Sequence, residues 1–266
     1  RHGRRNVLLH SPRVAAFGGV GEIFPEGMTI GIIGYGDFGE FLCRMAKRYV
    51  PDARVMVSSS RFAPDGATFA PFEDVCKADV LIPCVPISKF EETIARAKLH
   101  VAAATVIVDV CSVKVMPVAV LRGAGVRFVA THPMFGPYSF AKTEGHLDGL
   151  RLVVSDGNLS AEDFRKALSF LRALKLNVIE MSAENHDKSM AETLFLTHLV
   201  AQTATKGNFV RTDIDTISFG FLMDAVESVR ENTELFKDVY RYNPYCKAVF
   251  ERFKNALEEV ESSLTE

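Results

Sequence analysis

Residues 28–40 read Met28-Thr29-Ile30-Gly31-Ile32-Ile33-Gly34-Tyr35-Gly36-Asp37-Phe38-Gly39-Glu40. An apolar run ends in G-x-G-x-x-G, and a helical pattern over residues 37–49 follows at once, stopped near Pro51. Strand, glycine turn and helix in that order form a cradle for a pyrophosphate. The first glycine permits the tight turn, the second lets the backbone approach the phosphates, and the third lets helix and strand pack closely. The helix N-terminus adds N–H donors and the positive end of its dipole. Glycine turns are common, but this one stands between a strand and a helix, and that context favours a dinucleotide site over a merely structural turn. Gly34, Tyr35, Gly36, Asp37, Phe38 and Gly39 are therefore the candidate cofactor-binding residues.

About twenty residues on, at the tip of a second strand (54–58), an NAD site would carry an acid for the ribose hydroxyls. This chain has Ser58-Ser59-Ser60-Arg61 instead. Three hydroxyls and a guanidinium suit a 2′-phosphate, so NADP is the expected cofactor. The competing reading is a polar strand end beside a surface arginine.

Outward from this unit the pattern repeats. Strands are expected at 80–84, 105–109 and 126–130, with helices at 72–78, 88–98 and 114–121 between them. After a Gly- and Pro-rich loop (133–149) come a strand at 151–155, a helix at 160–174 and a strand at 177–181. Strands apolar on both faces and alternating with helices predict an α/β fold with a Rossmann-type parallel sheet. Beyond Ala183 only helical patterns are found, over residues 183–208, 219–240 and 245–264. The expected organisation is an N-terminal extension (1–27), a dinucleotide-binding domain (28–182) and a small all-helical substrate and dimerisation domain (183–266). The last is too short to bury its own apolar surface, which predicts a homodimer.

Composition removes other classes. The 266 residues are 48% hydrophobic and 24% charged with a net charge of −2, so no basic excess exists to hold a nucleic-acid backbone. No apolar stretch reaches the roughly 18 residues of a membrane span. Five widely spaced cysteines without a C-x-x-C pair argue against a zinc site and a disulfide framework, and fit a reducing compartment. Residues 1–21 hold Arg1, Arg4, Arg5 and Arg13 and no acid. An extension is the favoured reading, with a cytoplasmic protein. The alternative is the remnant of an Arg-rich transit peptide, which would make the protein plastidic.

Two segments follow later strands at the carboxyl edge of the sheet, where such folds bind ligands. They are Asp109-Val110-Cys111-Ser112-Val113-Lys114 and Thr131-His132-Pro133-Met134-Phe135-Gly136-Pro137. Taken alone, a histidine after a strand is as readily structural as chemical. At the nicotinamide end of a cofactor site, His132 is placed to accept a hydroxyl proton while hydride leaves the same carbon.

These strings carry a resemblance. Gly34 to Gly39, Ser112-Val113-Lys114, His132-Pro133-Met134-Phe135-Gly136-Pro137 and Glu184-Asn185-His186-Asp187 resemble the prephenate/arogenate dehydrogenase family of tyrosine biosynthesis, in particular its short plant-like forms. The resemblance implies that His132 accepts a hydrogen bond from the C4 hydroxyl of a cyclohexadiene and that Ser112 assists there. Lys114, in the same element as Ser112, is taken as a substrate-binding candidate. It also implies that a histidine on the first helix of the second domain, best matched by His198, lines the substrate pocket. His186 matches by motif but is read as a helix-start residue. The arginine that prephenate-using members set against a substrate carboxylate has no clear match. Arg230 is a positional candidate only; arogenate-preferring members lack that arginine, so the resemblance without it tilts the substrate toward arogenate. Tyr138-Ser139-Phe140 is bulkier than the family's usual small residues.

The expected function is NADP-dependent oxidative decarboxylation of arogenate or prephenate, with no metal. Two rivals are weighed against it. A 3-hydroxyacid dehydrogenase of the same plan would need a catalytic lysine, for which Lys188 is available. A non-catalytic NADP-sensing module would have no reason to keep Ser112 and His132.

Overall fold

The computed structural model describes residues 27–265. The Arg-rich segment read above as an extension or a transit remnant falls outside them. The chain runs β1 (Thr29–Ile33), α1 (Asp37–Tyr49), β2 (Arg54–Ser58), α2 (Phe72–Val75), β3 (Val80–Pro83), α3 (Phe90–Ala97), β4 (Val106–Asp109), α4 (Val115–Ala124), β5 (Arg127–Pro133), α5 (Pro137–Lys142), β6 (Arg151–Gly157), α6 (Ala161–Ala173), β7 (Asn177–Glu180), α7 (Ala183–Met190), α8 (Leu196–Lys206), α9 (Ile217–Val229), α10 (Thr233–Tyr242) and α11 (Cys246–Ser263).

All seven expected strands are present, in one sheet of order β2-β1-β3-β4-β5-β6-β7. The order reverses between β1 and its neighbours β2 and β3. That switch point opens the crevice in which ligands of such sheets bind. The expectation of a wholly parallel sheet needs one correction: β6 runs antiparallel to β5, and β7 parallel to β6. The cause is the connection. Parallel neighbours need a crossover that returns the chain to the opposite edge. Residues 134–150 stay at the carboxyl edge, so Pro133 pairs with Leu152 and the strand returns reversed. The register shifts between Ala130 and Thr131, immediately before His132. The segment read as loop also contains α5, in which Phe140 packs on Phe41 with ring centroids 5.4 Å apart.

Ser182 separates sheet from helices: its hydroxyl accepts the Asn185 N–H at 3.2 Å and caps α7. The helical region is not self-contained. Ala191, Phe195, Leu199, Val239, Cys246 and Val249 join Leu81, Phe90, Ile107 and Phe128 in one buried cluster. The second segment thus covers itself largely against the first. Two helices expected to be continuous are interrupted. Residues 219–240 divide into α9 and α10, with a break at Arg230–Asn232. Between α7 and α8, Ala191–Phe195 form a π-helical turn.

Candidate active site

The glycine loop carries the geometry expected of it. Gly34 has φ +100°, and a Cβ there would lie 2.2 Å from the Cys84 carbonyl oxygen at the end of β3. A Cβ on Gly39 would lie 2.2 Å from the Gly34 carbonyl oxygen, which fixes how closely α1 approaches the turn. Gly36 faces open space, and no side chain caps the N-terminus of α1. Free N–H donors, the helix dipole and unobstructed backbone together fit a pyrophosphate. Asp37 and Phe38, the first residues of α1, lie beside it, Asp37 exposed and Phe38 half-buried.

The tip of β2 adjoins this loop, because the Gly34 N–H donates to the Ser58 carbonyl at 2.8 Å. Ser58 and Ser59 are half-buried and Ser60 is exposed. The Ser59 hydroxyl accepts the Arg61 N–H at 3.1 Å. The Arg61 guanidinium donates to the Tyr35 carbonyl and lies 5.9 Å from the Phe62 ring centroid. Sequence-distant Ser58 to Arg61 and Gly34 to Gly39 therefore form one surface.

His132, near the end of β5, is buried, and its Nδ1 lies 2.9 Å from His186 Nε2 on α7. His186 Nδ1 in turn lies 2.8 Å from Asp187 Oδ1. The Asp187 carboxylate also accepts the backbone N–H groups of Lys114 at 2.7 Å and Val115 at 2.9 Å, capping the N-terminus of α4. The Asn243 side-chain amide donates to the Asp187 carbonyl at 2.7 Å.

This chain of bonds fixes the tautomers. A carboxylate only accepts, so His186 carries its proton on Nδ1 and offers a lone pair at Nε2. His132 must then carry its proton on Nδ1, which leaves Nε2 bare to accept. Burial, and after it the Lys114 charge, hold the His132 pKa well below the usual histidine range. The imidazole is neutral near pH 7, the form a proton acceptor needs.

His186 stands in the first turn of α7, as its reading as a helix-start residue had it, and is in addition fully buried and within hydrogen-bond distance of His132. Asp187, Asp109 and Asn243 are the residues that sequence reasoning missed. The motif Glu184-Asn185-His186-Asp187 was the one available signal, and it lacked any indication of which way His186 faced.

Lys114 also requires correction. Its side chain is fully buried, and Nζ donates to the Asp109 carboxylate and, at 2.6 Å, to the Thr131 carbonyl. An ammonium so occupied cannot reach a substrate. Ser112 sits half-exposed on the turn between β4 and α4. The neighbouring Cys111 thiol is pushed well above its ordinary pKa by burial and by Asp109, so it stays protonated.

His198, on α8, is buried against Phe236, with parallel rings and centroids 6.3 Å apart. Its Nδ1 has no hydrogen-bond partner among the described residues, an open requirement that a ligand group could meet. Burial lowers its pKa. The π-helical turn matters here. In an uninterrupted α-helix the twelve residues from His186 to His198 would put the two about 120° apart around the axis. One inserted residue, as in a π-bulge, reduces that to about 20°. Both histidines then share a face, about 17 Å apart along the axis.

Arg230 closes α9 half-exposed and 3.4 Å from Glu231, a solvated helix end. Lys188 is exposed, with Nζ 5.5 Å from the Tyr245 ring centroid, and so does not face His132 as a catalytic lysine must.

Comparison with known proteins gives the following likenesses. Residues 62–180 match the family described as prephenate dehydrogenase, nucleotide-binding domain, and residues 203–266 match one described as TYRAAT1-like, C-terminal domain. The glycine loop lies ahead of the first match and rests on its own geometry. Arogenate dehydrogenases 1 and 2, chloroplastic, of Arabidopsis thaliana are each 28% identical over 89% of the chain. The chain spans 39% of the length of the first and 70% of the second. In fold, it is similar to the crystal structure of prephenate dehydrogenase from A. aeolicus in complex with hydroxyphenyl propionate and NAD+, at a TM-score of 0.69 and 17% identity, over 90% of this chain and 91% of that one. Residues 62–180 are thus similar to the nucleotide-binding domain of prephenate dehydrogenases, and most of the chain is similar in sequence to arogenate dehydrogenases.

Proposed function

We propose that the protein oxidatively decarboxylates arogenate or prephenate with NADP, yielding tyrosine or 4-hydroxyphenylpyruvate. The observation that carries this reading is the buried series from Asp187 through His186 to His132, which leaves a neutral, oriented acceptor at the same carboxyl edge of the sheet as the glycine loop. A bound nicotinamide supplies a hydride acceptor. His132 Nε2 takes the proton of the substrate C4 hydroxyl, and Ser112, on the adjoining turn, donates to that oxygen. Departure of hydride and proton makes C4 a carbonyl, and loss of CO2 from C1 aromatises the ring. Aromatisation supplies the driving force, so the protein has to orient its reactants and handle one proton.

His198, in phase with His186 but about 17 Å along the helix, meets the same substrate at its far end. The exposed Glu231-paired Arg230 offers no cation for the side-chain carboxylate of prephenate, which favours arogenate. The turn Ser58 to Arg61 favours NADP. Five free cysteines, four of them buried, fit a reducing compartment, cytoplasm or plastid. No helix among the described residues is long and apolar enough to cross a membrane. A homodimer is part of this reading: Phe209, Val210, Ile214, Ile217 and Phe221 are exposed together on α9 and the segment before it, and a second copy would cover them.

The test is cofactor reduction measured side by side with arogenate and prephenate. Turnover of arogenate above that of prephenate is expected, and absence of turnover with both refutes the assignment.

A further inference from the structure

Lys114 and Asp109 bury two charges completely, in a part of the fold where an apolar pair would pack at less cost. Stability alone does not explain them. Their bonds lead to the residue before His132 and to the turn that carries Ser112. Lys114 Nζ holds the carbonyl of Thr131, the residue before His132. The Thr131 hydroxyl donates to the Asp109 carbonyl at 2.7 Å, and Asp109 Oδ1 accepts the Cys111 N–H at 2.8 Å. That second bond shapes the turn carrying Ser112. At its other end, the Lys114 backbone N–H is bound to Asp187, from which the series to the His132 ring begins.

The sheet holds this place on one side only. The last β4 residue paired with β5 is Asp109, opposite Ala130, and the β5–β6 register slips between Ala130 and Thr131. His132 therefore pairs with Val153 of β6 but has no ladder partner on the β4 side. A bulge there re-aims the strand, and on the β4 side the bonds of Lys114 and Asp109 to Thr131 stand where the ladder has ended.

We propose that the buried Lys114–Asp109 pair is a positioning device for the reaction, which fixes the backbone of His132 through the Thr131 carbonyl and couples it to the Ser112 turn without touching substrate. This rests on the proposed dehydrogenase reading. The Lys114 charge has a second consequence, since it lowers the proton affinity of His132. The other titratable groups around that ring are His186 and Asp187 on α7 and Asp109 and Cys111 on the β4–α4 turn.

The test compares the full chain with the double variant Asp109→Leu/Lys114→Met, which exchanges the pair for apolar groups of similar size and strands no charge. The single variant Lys114→Met would strand a carboxylate and could fail to fold. Expected for the double variant is a cooperative melt and NADP affinity within about threefold of the parent. Its kcat should fall about 30-fold to 300-fold, with KM moving far less. The His132 titration, followed by NMR of the ring carbons in the free protein, should move up toward 6.5. Unchanged kcat and an unchanged titration would overturn the proposal, as would loss of cofactor binding in step with kcat, which marks a merely structural pair. The titration is read without substrate. A parent protein inactive on both cyclohexadienes would refute the activity while leaving the positioning claim to be decided by NMR.

Discussion

Asp187→Asn exchanges one oxygen for one nitrogen at nearly constant volume, so it perturbs the hydrogen-bond wiring rather than the packing. The carboxylate now accepts from three donors: Oδ1 from Lys114 N and His186 Nδ1, and Oδ2 from Val115 N. An amide has one oxygen to offer. If that oxygen takes the Oδ1 place, its NH2 is forced against the Val115 N–H, and α4 loses part of its cap. If the amide is flipped, the NH2 faces His186 Nδ1, which must then accept. His186 would turn its Nε2 proton toward His132, and His132 would present N–H instead of a lone pair to the substrate hydroxyl. A hydrogen bond to a charged group contributes about 1.5–3 kcal/mol. For a chain of this size, losing about 2 kcal/mol lowers Tm by about 4–8 °C. The rate effect should be larger. Removing a proton acceptor costs about 100-fold to 10,000-fold, and the corresponding Asp→Asn exchange in Ser-His-Asp triads reaches about 10,000-fold through the wrong tautomer. At about 1.36 kcal/mol per decade this is about 3–5 kcal/mol of barrier. The assay is kcat at saturating NADP, with cofactor affinity and Tm measured on the same preparation. Affinity should stay within about threefold, since the glycine loop is untouched. A folded variant with kcat within threefold of the parent would refute the tautomer argument.

Four further outcomes are expected. His132→Asn should keep cofactor binding and lower kcat about 100-fold to 10,000-fold, and near-parental turnover would remove His132 from the chemistry. In the parent, the depressed His132 pKa keeps the acceptor neutral, so kcat/KM should stay flat from pH 8 down through 6.5. Because the unfolded chain binds that proton near pH 6.5 and the folded one only lower, stability should fall as pH drops below 6.5; a Tm that rises on acidification contradicts this. Arg61→Ala should erode an NADP preference of at least tenfold, about 1.4 kcal/mol, while leaving NAD-supported rates largely intact. Light scattering at micromolar concentration should give about twice the mass of one chain, and Phe221→Asp should shift it toward the monomer; a parent that scatters as a monomer refutes the dimer.

How far the sequence carried these conclusions depended on the range of the interactions involved. The strands and the glycine turn are set by residues within a few positions of one another, so periodicity located them, and Gly34 in the tight turn and Gly39 in the close helix contact have the roles their spacing implied. The direction of β6 is different. It follows from where residues 134–150 travel, and an apolar run reads the same in either direction. The site shows the same division more sharply. His132 was recognisable from its neighbours in sequence, but its protonation is governed by His186, which is 54 residues away, and by Asp187 acting through it. Lys114 was misassigned for the same reason. Beside Ser112 it looked free to bind an acid, and its actual partner across the sheet is the carbonyl of Thr131. The helix after Ser182 adds a subtler case. Regular α-helical phase sets His186 and His198 on different faces, and only the π-helical turn at Ala191–Phe195 brings them into line. That turn closes over Phe195, which is fully buried between the rings of Phe236 and Tyr240, at 5.5 and 5.7 Å. The phase of the face that carries His198 is therefore fixed by aromatic packing from α10, some forty residues further along the chain.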